Sequence, residues 1–245
     1  ILDILNTPDV NIATVEDPIE YQMPRINQTQ VKSEIGMTVA NGLRALLRQD
    51  PDIVMVGEIR DGETASLAVN AALTGHLVLS TIHTNSAAGA VPRMIDMGVE
   101  PFLIVSTVKV VVAQRLVRRL TNSKEKYTLS EGELKALAGI IDLDRMLELL
   151  KLEKAIGDKD DWTTILFYRP KKSEESEDGY KGRVGIHEAL KMSATIKEMV
   201  LKGGSADDIE NQAKKEGMMT MIEDGIYQAV LGNTTTEEVL RVVSE

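Results

Sequence analysis

Two side chains that could take part in catalysis follow two apolar segments near the middle of the sequence. Glu58 comes after a glycine at the end of the β-branched run 53–56, and His83 follows the apolar run 77–82. The residues between these runs, 62–73, include many helix formers, so we expect strand, helix and strand in that order. Parallel sheets bind ligands at the carboxyl ends of their strands. The pattern therefore predicts a carboxylate and an imidazole at one edge of a sheet, as in half of a nucleotide site.

The chemistry that such a pair suits is phosphoryl transfer, which needs positioned cations, donors to the γ-phosphate and a group that orients the attacking water. Glu58 could reach Mg²⁺ through water or polarise the nucleophile, or it could be an ordinary surface acid at a strand end. His83, with Thr81 nearby, could sense the γ-phosphate, or it could be a core histidine. His76 precedes its strand, and the sequence does not separate packing from function for it.

A second acidic cluster follows a predicted strand at residues 11–15. It comprises Glu16, Asp17 and Glu20. Three carboxylates within five residues are typical of a solvated turn as well as of a functional site, and the cluster alone leaves both interpretations open. Arg60 could pair with these acids or with the aspartate that follows it in the sequence.

Composition limits the class of function. The chain has 245 residues, a formal net charge of -10 and 3% aromatic residues, which argues against a nucleic-acid binder. It contains no cysteine, which excludes disulfides and thiolate metal sites and is usual in a cytoplasmic protein. Its longest apolar run, 102–113, is interrupted by polar residues and is too short to span a bilayer. The sequence begins in mid-pattern with Ile1, so we expect that an N-terminal part is missing.

Strand and helix signals alternate up to about residue 120. An amphipathic helix is predicted over 35–47, ended before the proline at position 51, and two more helices are predicted over 87–97 and 102–120. Strands that alternate with helices in this way predict an α/β fold with a mostly parallel, doubly wound sheet.

The pattern changes from residue 121 onward. The predicted elements are a helix opened by a capping box at Ser130 and Glu133, a helix at 143–152, a strand at 162–168, a charged loop at 170–179 and a helical end from 183. Within that end, the predicted helix boundaries are Ser205 with Asp208, Gly232 after a helix at 218–231, and Thr234 with Glu237.

Several segments resemble the motifs of the secretion-ATPase superfamily. Residues 14–21 resemble its aspartate box, 48–61 its Walker B segment and 74–85 its histidine box. Further matches lie at 114–120, 179–186, 216–218 and 224–225. Together they cover almost the whole chain in the order of the family, and the branch they resemble is the GspE/PilB type, the hexameric motors of type II secretion and type IV pilus assembly.

The resemblance implies a RecA-like P-loop NTPase core at 1–120, without its N-terminal strands and phosphate-binding loop, then an insert at 121–182 and a C-terminal helical region at 183–245. It implies an ATP hydrolase that uses ATP with Mg²⁺ and works as a homohexamer. It also implies a cytoplasmic location, peripheral at the inner membrane through a membrane platform and associated secretion or pilus proteins. The residues that it marks as catalytic are Glu16, Glu20, Glu58 and His83, and those that it marks as nucleotide-binding are Asp17, Arg60, His76 and Thr81.

Two departures from the family pattern affect this interpretation. The phosphate-binding loop G-x-x-x-x-G-K-[ST] is absent from the sequence, so we expect it upstream of the strand at 11–15 and expect this chain to be inactive by itself. Relatives of the GspE type often carry two Cys-x-x-Cys zinc pairs, but the corresponding segments here, 121–124 and 173–176, contain no cysteine. We therefore expect no zinc.

Other functions remain open at this point. A non-catalytic module that only binds partners of such a motor would explain the missing phosphate-binding loop, whereas Glu58 and His83 at adjacent strand ends disfavour it. A pilus-retraction ATPase is a near relative, but the long insert at 121–178 is not expected there. A nucleic-acid translocase would need a basic channel, and the net charge of -10 argues against one.

Overall fold

Eight strands form three separate sheets in this computed structural model, which describes residues 1–244. In chain order the strands are β1 (Ile12–Glu16), β2 (Asn27–Gln30), β3 (Ile53–Ile59), β4 (Leu77–Ile82), β5 (Val110–Leu120), β6 (Lys124–Tyr127), β7 (Phe167–Pro170) and β8 (Tyr180–Lys191). The main sheet has the order β2-β1-β3-β4 and all three of its pairings are parallel. The carboxyl ends of these four strands therefore meet at one edge.

Up to Thr107 the helices occur among the strands in the order that the sequence predicts. In chain order the helices are α1 (Leu2–Leu5), α2 (Val39–Leu46), α3 (Gly62–Leu73), α4 (Ala90–Asp96), α5 (Pro101–Thr107), α6 (Glu131–Ala138), α7 (Leu143–Leu152), α8 (Ala194–Leu201), α9 (Ala206–Lys215), α10 (Met221–Val230) and α11 (Thr236–Val243). None of the helices within residues 1–244 has both the length and the apolar character needed to cross a bilayer.

The chain divides into two compact units, of which the first contains residues 1–111 and 190–213. One face of its sheet packs against α2 and α3 through the core residues Ala13, Val15, Leu43, Leu46, Val54, Val56 and Ala68. The other face presents Ile12, Ile26 and Ile53 to apolar residues that include Leu2 and Leu5 of α1. Burial on both faces fits the apolar run at the start of β3, whereas β1 buries the polar Thr14 among its apolar residues.

The helix α3 begins and ends at residues that fit its position between β3 and β4. The Asp61 side chain accepts a hydrogen bond from the backbone N–H of Thr64 at 2.8 Å, which caps the first turn. At the other end Gly75, with φ +105°, supplies a backbone conformation that an L side chain rarely adopts. With these two signals, α3 begins and ends at the residues expected from the sequence.

The second unit contains residues 112–189 and the chain from 214 onward. A two-stranded ribbon of β5 and β8 packs Val117 and Ile186 against Met221 and Val239. A second core surrounds Phe167, which is 1% exposed; its members include Met146, Leu150, Trp162, Ile165 and Ile226. The insert thus shares an apolar core with α10.

The helix predicted over 102–120 is wrong beyond Thr107, because β5 occupies Val110–Leu120. Four of the five residues 108–112 are valines, which are stiff at χ1 and favour strands. The helical end predicted from 183 is also wrong up to residue 191, because β8 pairs with β5. Both errors concern partners that are distant in sequence, which a local pattern does not reveal.

Smaller boundaries also differ from the predictions. The last helix is capped by Thr235, which accepts from the N–H of Glu238, and not by Thr234 with Glu237. The strand predicted at 162–168 is confirmed only at its end, since β7 begins at Phe167. The capping box at Ser130 and the helix at 143–152 are confirmed.

Candidate functional site

The strand β3 contains an irregularity just before it ends. Val56 pairs with Ser80 of β4, but the next aligned pair is Ile59 with Ile82. Three steps along β3 therefore correspond to two steps along β4, and β3 carries one extra residue within Gly57–Glu58. Such a β-bulge re-aims a side chain and is frequent beside active sites.

The bulge determines which way Glu58 faces. Val54 and Val56 are buried in the core under α2 and α3, and Ile59 packs against the same core. Strict alternation would instead direct Glu58 into that core. The extra residue returns Ile59 to the core and keeps the Glu58 carboxylate out of it.

Glu58 has a charged or polar partner at each carboxylate oxygen. Its Oε2 lies 2.8 Å from Nε2 of His83, and its Oε1 forms an ion pair with the Arg60 guanidinium. The Glu58 side chain is 16% exposed, whereas those of His83 and Arg60 are 80% and 67% exposed. The predicted meeting of an acid and an imidazole at this edge thus appears in the structure.

The ionisation of Glu58 follows from these contacts. The hydrogen bond from Arg60 is the largest influence and lowers the pKa of this carboxyl; burial opposes it, and the hydrogen bond with His83 lowers the pKa further. Glu58 is therefore a carboxylate at neutral pH. A charged carboxylate can accept a proton from water or orient it, provided that one of its two partners moves aside.

Thr81 holds the bulge in place. Its hydroxyl donates a hydrogen bond of 2.7 Å to the carbonyl of Gly57. A Cβ atom at Gly57 would lie 3.3 Å from Cα of Glu16 and from the carbonyl oxygen of Val15, so the glycine permits a close approach of β1 and β3. The structure thus places Thr81 in contact with the bulge that contains Glu58.

Glu16 is the buried acid of this edge and is 7% exposed at the end of β1. Its Oε1 accepts hydrogen bonds from the Thr14 hydroxyl at 2.6 Å and from Nε2 of Gln28 at 3.0 Å. Sequence reasoning missed Thr14 and Gln28 as members of the site. The available signal was the alternation of polar residues in β2, which places Gln28 on one face of that strand.

The remaining predicted site residues lie farther from this pair. Asp17 and Glu20 are exposed in the loop after β1. His76 lies at the amino end of β4, where its Nδ1 is 2.9 Å from the carbonyl of Ala71 and 3.1 Å from the Thr74 hydroxyl. A strand of this length separates it from His83 by roughly 20 Å. The structure therefore brings His83, but not His76, to Glu58.

A cavity of about 280 Å³ opens beside the carboxyl ends of β1 and β3. Its lining combines acidic, polar and apolar residues and comprises Asp17, Val31, Ser33, Thr38, Val39, Ala40, Asp61, Glu63 and Thr64. Thr38 and Asp61 are the caps of α2 and α3, so two helix N-termini border the cavity.

The acidic residues at this edge suit a magnesium ion that arrives with a nucleotide. They suit a metal ion held by protein ligands alone less well. Within residues 1–244 no group of three or more histidine, cysteine, aspartate or glutamate side chains is placed to hold a metal. Mg²⁺ usually takes only one or two protein carboxylates and completes its shell with water and phosphate oxygens. Glu16 and Glu58, at adjacent strand ends, can supply such a pair.

Comparison with known proteins identifies the family to which the chain belongs. A family profile described as "Type II/IV secretion system protein" matches residues 1–241. The chain is 47% identical over 245 residues to Type II secretion system protein E of Xanthomonas campestris pv. campestris, covering all of this chain and 40% of that protein. It is 45% identical over 240 residues to the type IV pilus assembly ATPase PilB of Thermus thermophilus, covering 98% of this chain and 25% of that protein.

A solved structure shares the fold. The crystal structure of the pilus retraction motor PilT with bound ADP matches with a TM-score of 0.64 at 25% identity, over 98% of this chain and 55% of that chain. The α/β class and the RecA-like core predicted from the sequence are confirmed. The chain spans less than half the length of the two curated relatives.

Proposed function

We propose, from the premise that this chain belongs to the type II/IV secretion system protein family, that it forms part of a motor ATPase. The motor would couple ATP hydrolysis to type IV pilus assembly or type II protein secretion. The observation that carries the proposal is the Glu58 carboxylate, turned out of the core by a bulge and paired with His83 at the carboxyl edge of the sheet.

The chemistry that we propose for this edge uses the chain's own residues in distinct roles. Glu58, which is a carboxylate at neutral pH, orients the attacking water and accepts its proton. Arg60 and His83 hold the two carboxylate oxygens until water and nucleotide take their places. Glu16 would hold the Mg²⁺ that arrives with ATP, Glu58 would reach this ion only through water, and the ion would neutralise charge on the phosphates.

The roles of the other predicted residues remain part of the proposal. Asp17 and Glu20, in the loop after β1, would approach nucleotide or water only when the site is occupied. Thr81 would act through the Gly57 carbonyl, and His76 through the end of α3. We further propose that residues 1–120 of this chain belong to the ATPase core, 121–182 to the insert and 183–245 to the C-terminal region.

The assembled state is proposed from the family. The motor would be a cytoplasmic homohexamer, peripheral at the inner membrane, with a membrane platform and associated secretion or pilus proteins as partners and without nucleic acid. The names of the two curated relatives support assembly or secretion, and the likeness to PilT keeps retraction as the alternative. A partner-binding module without catalysis is the other alternative.

We expect this chain by itself to show no ATP turnover and only weak nucleotide binding. Its 245 residues contain no phosphate-binding loop, so no backbone N–H nest or lysine is present to hold the triphosphate. The measurement is phosphate release with Mg²⁺ and ATP, beside a protein that carries this chain together with such a loop. ATP turnover that copurifies with the chain alone would contradict the expectation. Absence of turnover in the longer protein would favour the partner-binding module.

We also expect the protein to carry no structural zinc. It has no cysteine, and its three histidines are scattered at positions 76, 83 and 187. The measurement is elemental analysis after exhaustive dialysis, together with the melting temperature with and without a chelator. One zinc ion per chain, or a melting temperature that falls by several degrees with the chelator, would contradict this expectation.

A further inference from the structure

The side chain of Gln28, on β2, joins three groups around the acidic edge. Its Nε2 donates to Oε1 of Glu16 at 3.0 Å and to the carbonyl of Tyr21 at 2.9 Å, and its Oε1 accepts from the N–H of Met23 at 2.8 Å. The opposite orientation of the carboxamide would set its NH₂ against the N–H of Met23. The three contacts therefore fix which way this side chain faces.

The same contacts leave Glu16 with two unequal oxygens. Thr14 and Gln28 both donate to Oε1, at 2.6 and 3.0 Å. The structure gives Oε2 no hydrogen bond or ion pair with any residue in 1–244. A carboxylate that is 7% exposed is thus held by one oxygen, while the other stays available for a ligand.

The position of Glu16 relates this arrangement to Glu58. The Cα of Glu16 would lie 3.3 Å from a Cβ added at Gly57, the residue before Glu58. The two acids therefore end neighbouring strands at the same edge. The loop that Gln28 also holds, through Tyr21 and Met23, follows directly on Asp17 and Glu20.

We propose that Gln28 is a positioning residue for the reaction proposed above: its carboxamide, together with the Thr14 hydroxyl, holds one oxygen of Glu16 so that the other faces the reacting groups. This inference rests on the proposed function. Gln28 itself touches neither nucleotide nor water in the reaction. It acts through Glu16 and through the loop that carries Glu20.

The test compares Gln28→Glu and Gln28→Ala with Gln22→Glu. The isosteric Gln28→Glu change replaces the donor by a carboxylate that faces Glu16 and the Tyr21 carbonyl. Gln22→Glu adds the same charge at an exposed position of the same loop. Each variant is made in a protein that carries this chain and a phosphate-binding loop. Turnover and ATP affinity are measured per folded molecule, with circular dichroism to count the folded fraction.

A positioning role predicts that turnover falls ~10–10²-fold in both Gln28 variants, while ATP affinity stays within about twofold of the unchanged protein. Gln22→Glu should leave both quantities unchanged. Normal turnover per folded molecule in the Gln28 variants would overturn the proposal. The proposal would also be overturned if the loss of turnover were fully explained by a loss of folded protein or by a loss of ATP affinity.

A second readout does not depend on activity. In this chain, ¹³C-labelled glutamate allows the Glu16 carboxyl resonance to be assigned by its loss in Glu16→Gln. Gln28→Ala should shift this resonance because a donor leaves Oε1, and Gln22→Ala should not. An unmoved resonance overturns the positioning contact, whereas absence of turnover in the unchanged longer protein overturns the proposed function instead.

Discussion

Replacing Glu58 by glutamine is expected to lower ATP turnover ~10²–10⁴-fold, the usual scale for the loss of a general base. The experiment uses a protein that carries this chain together with a phosphate-binding loop. Glutamine keeps the size of the side chain and can still contact His83, but it lacks the charge that orients water. Because the carboxylate acts mainly in the transition state, ATP affinity should change little. Steady-state turnover and equilibrium ATP binding measure the two effects separately.

The matched control for this substitution is Glu34→Gln. Glu34 is exposed in a short 3₁₀ turn, and removing its charge should leave turnover unchanged. His83→Ala should also slow turnover, because it removes the imidazole that we propose as the sensor of the γ-phosphate, and ATP and ADP should become harder to distinguish. Near-normal turnover in Glu58→Gln would remove the catalytic assignment and leave Glu58 as a structural acid at the end of β3.

The second large effect is expected for stability and concerns Glu238, at the start of α11. Its side chain is 1% exposed and accepts hydrogen bonds from Arg118 Nε at 2.8 Å and from Arg241 Nε at 2.7 Å. Burial by itself raises the pKa of Glu238, but the hydrogen bonds from Arg241 and Arg118 outweigh it and lower the pKa to about 2. The folded protein thus strongly favours the charged form.

A carboxyl group whose pKa is lower in the folded protein than in the unfolded chain stabilises the fold at a pH above its unfolded pKa. This stabilisation is lost as the pH falls. Because the pKa of Glu238 falls from the ordinary value of 4.5 to about 2, its charged carboxylate contributes about 3 kcal/mol to the free energy of unfolding. This contribution is fully present above pH 4.5 and declines as the pH approaches 2. Glu238→Gln should therefore lower the free energy of unfolding at pH 7 by up to about 3 kcal/mol, and the difference from the unchanged protein should shrink in acid.

The single tryptophan makes this measurement specific. Trp162 is buried in the second unit, where its fluorescence follows urea unfolding of the part that contains Glu238. Glu237→Gln is the control, because Glu237 is the exposed neighbour in the same helical turn. Equal urea midpoints for Glu238→Gln and Glu237→Gln at pH 7 would contradict the expected role of the buried carboxylate.

Local signals were sufficient for the strand-helix-strand unit around the site. The apolar runs at β3 and β4 and the cap at Asp61 determine their elements within a few residues of sequence. Because parallel strands place their carboxyl ends at one edge, the pairing of Glu58 with His83 could be predicted as well. The distance between their side chains, by contrast, depends on the bulge in β3.

The features that the sequence did not predict depend on partners distant in the chain. The bulge is a shift in the register between β3 and β4, so it can be recognised only once the pairing of the two strands is known. The contact of Gln28 with Glu16 follows from the register of β2 on β1. The same holds for β5, whose partner strand β8 lies far along the chain.

The most direct test of the central claim is the footprint of the nucleotide on the sheet edge. Hydrogen–deuterium exchange is measured on a protein that carries this chain and a phosphate-binding loop, with Mg²⁺ and a non-hydrolysable ATP analogue or with neither. The account predicts slower amide exchange in the segments 16–20, 57–60 and 83–85, where Glu16, Glu58 and His83 end their strands. Unchanged exchange in all three segments, under conditions where the analogue is bound, would contradict the assignment of this edge as the site of ATP hydrolysis.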